Sequence, residues 1–316
     1  MSTRTTPSAG PAPTRPRMTI GDLMVIVAVV AFYAWLLRAL VSRELTLVPC
    51  LSMLLVVMTL GLFRALLNIK RICWYRDDPG YEPIDPCSDQ ISPQAARDIA
   101  TTVPRLEALG FRSLGHFHNA DSVSNLTQYV SLFENDRSQR TAQRITTVVG
   151  VGPTRELRPF LAFLTEFTDG TCLITDNSEN SIIYPPLFFR RGSMCFPWVS
   201  DPRRLYEIHE ASVAYYAGDC IPSGPRIQDP AEYLRADQRR MLARIAEAGL
   251  LLHHATRPVY LLTFRGAFRV TWLHTWPIKP IWRGLRRRRA RRILRELALD
   301  HLLPGNPEPA SAAATR

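Results

Sequence analysis

His116-Phe117-His118 would place two imidazoles on one face of a strand, where a transition-metal ion could use both. No third ligand follows at a defined spacing, so two ordinary strand histidines are the preferred reading. His209-Glu210 opens like a zinc-protease helix, but position 213 is Val where a second His would be needed. Cys195 precedes Phe196-Pro197-Trp198, an apolar setting that suits an inert thiol. Gly150-Val151-Gly152 lacks the third glycine of a dinucleotide fingerprint, because position 155 is Arg. His253-His254 and Arg190-Arg191 read as loop doublets, and no Walker A loop occurs. The sequence therefore calls for no cofactor and no metal. An enzyme would have to assemble its site from distant residues such as His116, His118, Cys172, Asp176 and His209.

The densest chemistry is basic. Arg283, Arg286, Arg287, Arg288, Arg289, Arg291, Arg292 and Arg295 fall in a stretch without an acid. Without these eight the formal charge drops from +11 to +3, so the basic character of the chain is largely local. Guanidinium groups at this density suit the phosphates of anionic lipid or of nucleic acid, and a merely solvated helix is the third reading. Leu285, Ile293, Leu294 and Leu297 give the segment a partly apolar face, as an interfacial helix requires. Trp272, Trp276 and Trp282 lie just upstream among cations, a composition suited to the headgroup zone. The alternative for 259–282 is an ordinary strand and helix packed on the domain.

What holds these groups near lipid is the N-terminal region. Leu23 to Leu37 and Leu45 to Phe63 carry no charge. Spans of Ile20 to Val41 and Leu45 to Leu67 reach the roughly 20 helical residues that a bilayer core of about 30 Å needs. The Ser42-Arg43-Glu44 connection forces a hairpin, with both outer ends on one side. Arg4, Arg15 and Arg17 before the pair, and Arg64, Lys70, Arg71 and Arg76 after it, put those ends in the cytoplasm. No small-x-small cleavage site follows the first span, which argues against a cleaved signal peptide. The six scattered cysteines, with no C-x-x-C pair, agree with a reducing compartment. The Asn125-Leu126-Thr127 sequon would have no meaning there.

The expected organisation is a disordered tail (1–18), a transmembrane helical hairpin (19–68), a Pro-rich linker (69–92), an α+β domain (93–258), an aromatic and basic interfacial segment (259–300) and a second tail (301–316). Ser92-Pro93, Asp201-Pro202 and Asp229-Pro230 each supply an N-cap followed by Pro in the first turn, so three helices start there. Pro104 is expected to kink or restart the first of them. Phe111 to His118, Leu126 to Phe133, Gln143 to Val151 and Leu161 to Phe167 alternate or run apolar as strands do. Asp169-Gly170 suggests a two-residue hairpin turn. That register sets Phe163, Thr165 and Phe167 on one face with Cys172 and Ile174. Ser181 to Tyr184 would add a further strand. An antiparallel sheet with flanking helices follows.

Met18-Thr19-Ile20-Gly21-Asp22-Leu23-Met24 resembles the opening of many uncharacterised planctomycete membrane proteins, which begin Thr-Ile or Thr-Leu, then Asp-Leu-Leu, then a span. Tyr260-Leu261-Leu262-Thr263, Gly266-Ala267 and Trp276-Pro277-Ile278-Lys279-Pro280 resemble their ends. The resemblance implies a bacterial inner-membrane setting and carries no activity. The sequence thus leads to a non-catalytic accessory or sensory module on the inner leaflet. Its partners would be the bilayer, anionic headgroups, and a membrane protein or second copy beside the spans. An enzyme without a visible motif and a nucleic-acid binder are the alternatives, and nucleic acid is the less favoured partner.

Overall fold

A computed structural model describes Ala34, Arg38 and residues 47–88, 91–123, 126–149, 156–178, 192–218, 220–224, 227–274 and 278–303. The chain divides into two compact units, Met1–Ala65 and Leu66–Arg316. Helix α1 (Leu47–Ile72) is described, and its residues up to Ala65 belong to the first unit. The expected first span lies outside the described residues apart from Ala34 and Arg38, and the side chains of α1 are described from Val56. Among the described residues no helix is long and apolar enough to cross a membrane. The expected transmembrane hairpin is therefore not shown. Along α1, the side chains of Val56, Met58, Leu60, Phe63 and Leu67 are exposed.

The second unit is α+β, with a mixed sheet and flanking helices. Its strands are β1 (Trp74–Arg76), β2 (Tyr81–Pro83), β3 (Arg112–Val123), β4 (Leu126–Asn135), β5 (Arg140–Val149), β6 (Glu156–Glu166), β7 (Cys172–Asp176), β8 (Gly192–Cys195), β9 (Leu251–His253) and β10 (Val259–Leu262). They run in the order β8-β7-β6-β5-β4-β3-β1-β10-β9, with β2 also on β3. All pairings are antiparallel except β7 with β8, which corrects the expectation of an antiparallel sheet. The segment 69–92 is not a linker. It closes α1, supplies β1 and β2, and so joins the sheet. Ser181 to Tyr184 lies outside the described residues.

Helices α2 (Pro93–Glu107) and α3 (Pro202–Tyr216) cover one face of the sheet, and α4 (Pro230–Glu247) covers the other. Each starts where its sequence signal lies. Ser92 Oγ accepts from Ala95 N, Asp201 Oδ1 from Arg203 N, and Asp229 Oδ1 from Glu232 N. Helix α2 runs unbroken through Pro104. A proline removes one backbone donor but not its own carbonyl, and Ala108 N donates to Pro104 O at 3.0 Å. The main core gathers Phe133, Leu161, Phe163, Phe167 and Leu173 from the sheet against Leu106, Leu205 and Ile208.

The β6–β7 turn departs from the two-residue form. Phe167 N donates to Thr171 O, leaving the three-residue loop Thr168-Asp169-Gly170, with Gly170 at φ +72°. Asp169 Oδ1 accepts from Thr171 N, which fixes the loop. The register pairs Phe163 with Thr175 and Thr165 with Leu173. A shift of one residue moves every side chain to the opposite face. Leu173 and Thr175, not Cys172 and Ile174, therefore share the face of Phe163 and Thr165.

Two more helices complete the unit, α5 (Phe264–His274) and α6 (Ile278–Glu296), followed by a short turn, Asp300–Leu302. Thr263 starts α5. Its hydroxyl accepts from Gly266 N and donates to Gly249 O. A Cβ at Gly266 would sit 2.1 Å from Leu250 O, so only glycine lets α5 approach the chain entering β9.

Candidate functional site

The residues an enzyme would need are separated by the fold. His116 Nδ1 bonds Ser131 Oγ at 2.8 Å, and His118 stacks on Tyr129 at 5.2 Å. Cys172 lies on the opposite sheet face from Thr175, and burial pushes its thiol pKa up. Arg240 beside it is engaged with Glu166 (3.3 Å) and Asp237 (3.7 Å).

His209, on α3, is fully buried. Its Nε2 meets Thr165 Oγ1 at 2.8 Å and its Nδ1 meets Thr175 Oγ1 at 3.0 Å. Burial, then the Arg140 charge, lower its pKa to about 3. A neutral ring with both nitrogens occupied by threonines is a core tie, not a proton carrier. The signal that could have revealed it is the β7 register, which brings Thr165 and Thr175 to the same face.

Asp176, also buried, is held at the β7–β8 edge. Its Oδ1 accepts from Ser178 N (2.9 Å) and Ser178 Oγ (2.5 Å), and Ser193 Oγ approaches Oδ2 at 3.4 Å. Burial raises its pKa against those bonds. Cys195 Sγ donates to Ser178 O, and burial, then Asp176, push that thiol up. The serine thus has a carboxylate but no histidine, and the cysteine is kept protonated. Among the described residues no three His, Cys, Asp or Glu side chains are grouped to hold a metal. An open depression of about 540 Å³ at the β4–β5 turn has part of its polar lining engaged, Asn135 with Leu109, Arg137 N and Ser138 N, and Glu134 with Arg112.

The other candidate is a surface on α5 and α6. Helix α6 is not a free interfacial helix. Ala290, Ile293 and Leu294 enter the main core beside Phe163 and Leu205, with Leu297 packed against it. Of the apolar residues expected to face lipid, Leu285 is exposed. This core seat turns the arginines outward. Arg283, Arg287, Arg288, Arg289, Arg291, Arg292 and Arg295 are exposed and Arg286 is half-buried. Arg283, Arg287, Arg291 and Arg295 follow one another at i, i+4, a ridge about 18 Å long at 1.5 Å per residue. Arg292 pairs with Glu296 at 2.8 Å. Among the described residues Arg283, Arg287, Arg288, Arg291 and Arg295 have no carboxylate partner. Trp272 is exposed and Trp282 half-buried, while Trp276 lies outside the described residues.

Sequence reasoning missed two residues of this surface. Phe264 and Phe268 precede Trp272 at i, i+4 spacing on α5, and all three are exposed. Phe268 and Trp272 stack at 5.7 Å and 16°. The four-residue spacing was the available signal. No family model, curated protein or solved structure matches the chain.

Proposed function

We propose that the protein is a membrane-anchored, non-catalytic accessory or sensory module whose α+β unit lies against the anionic cytoplasmic leaflet. The anchor in this reading is the pair of apolar segments, Ile20 to Val41 and Leu45 to Leu67. The exposed apolar side chains of α1, from Val56 to Leu67, support it, because a contiguous apolar surface in water is costly. The observation that carries the proposal is the arginine ridge of Arg283, Arg287, Arg291 and Arg295: seated on the core, outward, and without a carboxylate partner among the described residues. Each arginine near an anionic surface contributes about 1 kcal/mol. A ridge fixed to the core loses little conformational freedom on binding. A membrane protein or a second copy of the chain remains a natural partner for the apolar segments.

The test uses the full chain in nanodiscs of neutral phosphatidylcholine, titrated with vesicles containing phosphatidylglycerol. Binding in trans that weakens with salt is expected. Duplex DNA is the control, and tighter, more salt-dependent binding to DNA would overturn the lipid assignment. Recovery of the intact chain in the soluble fraction without detergent would overturn the anchor.

A further inference from the structure

We propose that Phe264, Phe268 and Trp272, the outer ridge of α5, form a wedge that inserts into the headgroup zone of the anionic bilayer, so that the unit is held by ring insertion as well as by charge. This deepens the membrane reading above and rests on it.

Helix α5 is two-sided. Gly266, Ala267, Thr271 and Leu273 are buried against the unit, and Thr271 Oγ1 donates a hydrogen bond to Ala267 O at 2.8 Å. Phe264, Phe268 and Trp272 stand on the other side at 53%, 44% and 42% exposure. Among the described residues, the unit leaves about half of each ring open. Their neighbours identify the occupant. Arg265 is exposed and Arg269 half-buried, so cations alternate with rings along α5. The two charges disfavour each other, since burial and then Arg265 lower the Arg269 pKa. On α6, Ile281 and Leu285 are exposed within the same sequence stretch as Lys279 and Arg283. Rings and guanidinium groups in alternation match the headgroup boundary, where apolar bodies meet acyl chains and cations meet phosphates.

A second copy fits less well. A twofold contact through this ridge would bring Arg265 and Arg269 towards their own copies. The half-exposed rings offer roughly 300 Å², against the roughly 800 Å² per partner of a stable interface.

The experiment places the full chain in nanodiscs whose lipids carry bromine near the headgroup end of the acyl chains, with and without phosphatidylglycerol. Bromine quenches indoles that reach it. The Trp272 contribution is taken as wild type minus Trp272→Phe, which removes the background from Trp35 and the other indoles. Quenching of that contribution, stronger with phosphatidylglycerol, is expected. Phe264→Ser with Phe268→Ser should weaken trans binding of neutral nanodiscs to anionic vesicles by about tenfold or more, with unchanged circular dichroism. An unquenched Trp272 would overturn the wedge, as would cross-linking of two copies through α5. If the chain floats with its nanodiscs while Trp272 stays unquenched, the wedge fails and the anchor stands. If the chain does not enter nanodiscs, the anchor itself fails.

Discussion

The interior around His209 and the outer surface of α6 treat charge in opposite ways. In the interior, burial removes it. His209 is neutral between two threonines, Asp176 is held above the usual carboxylate range, and Cys195 remains a thiol. On α6, Ala290, Ile293 and Leu294 face the core, and Arg283, Arg287, Arg291 and Arg295 point outward with no carboxylate partner among the described residues. Both regions touch the same hydrophobic cluster, so the difference lies in which way the polar atoms point. A group suited to catalysis becomes structural when its reactive atoms are consumed by partners. A charged row becomes a binding surface when no partner consumes it.

The largest effect should separate the two regions by pH. The folded-state pKa of His209 lies below its unfolded value of 6.5, so the unfolded chain binds the extra proton. Stability tied to this ring is complete above pH 6.5. It declines as pH falls towards 3, at about 1.4 kcal/mol per pH unit in that window. Asp176 works in the opposite sense, because its raised pKa costs stability as pH rises through its titration. Denaturant unfolding of the full chain in mild detergent should show His209→Gln with a shallower loss between pH 6.5 and 4. An identical slope would remove the ring from the account.

On the outer side, Arg287→Gln, Arg288→Gln, Arg291→Gln and Arg295→Gln combined should cost about 4 kcal/mol of affinity for anionic vesicles. Unfolding midpoints should move little, since these side chains are exposed. If stability fell and binding did not, the ridge would be structural.

Leu294→Ala tests the inner side of the same helix. The side chain is fully buried, and its loss should cost about 3 kcal/mol of stability. An unchanged midpoint, with weakened vesicle binding, would return α6 to the free interfacial helix that its sequence suggested.

The smallest change is Thr165→Val, which deprives His209 Nε2 of its hydroxyl. We expect a loss of about 2 kcal/mol and no effect on vesicle binding. A neutral result would mean that the ring finds another partner.

Helix starts at Pro93, Pro202 and Pro230 were legible because a cap and a proline act within four residues. Most strands were legible because alternation reports a half-buried face. The ends were harder. Residues 69–92 carry prolines that read as a linker, yet Trp74–Arg76 and Tyr81–Pro83 pair with β10 and β3, which depends on strands remote in sequence. Asp169-Gly170 announced a turn but not its length, and one extra loop residue exchanged the faces of Cys172 and Thr175.

Composition and local spacing by themselves determined the arginine cluster, the apolar N-terminal pair, the α+β class and the lack of a contiguous catalytic motif, because each depends on neighbours along the chain. Tertiary structure alone decided that Ile293 and Leu294 belong to the core, that His209 closes between two threonines, and that Phe264, Phe268 and Trp272 are exposed. Amphipathic spacing shows that a helix has two faces. Only the packing of the other elements settles which face is already filled.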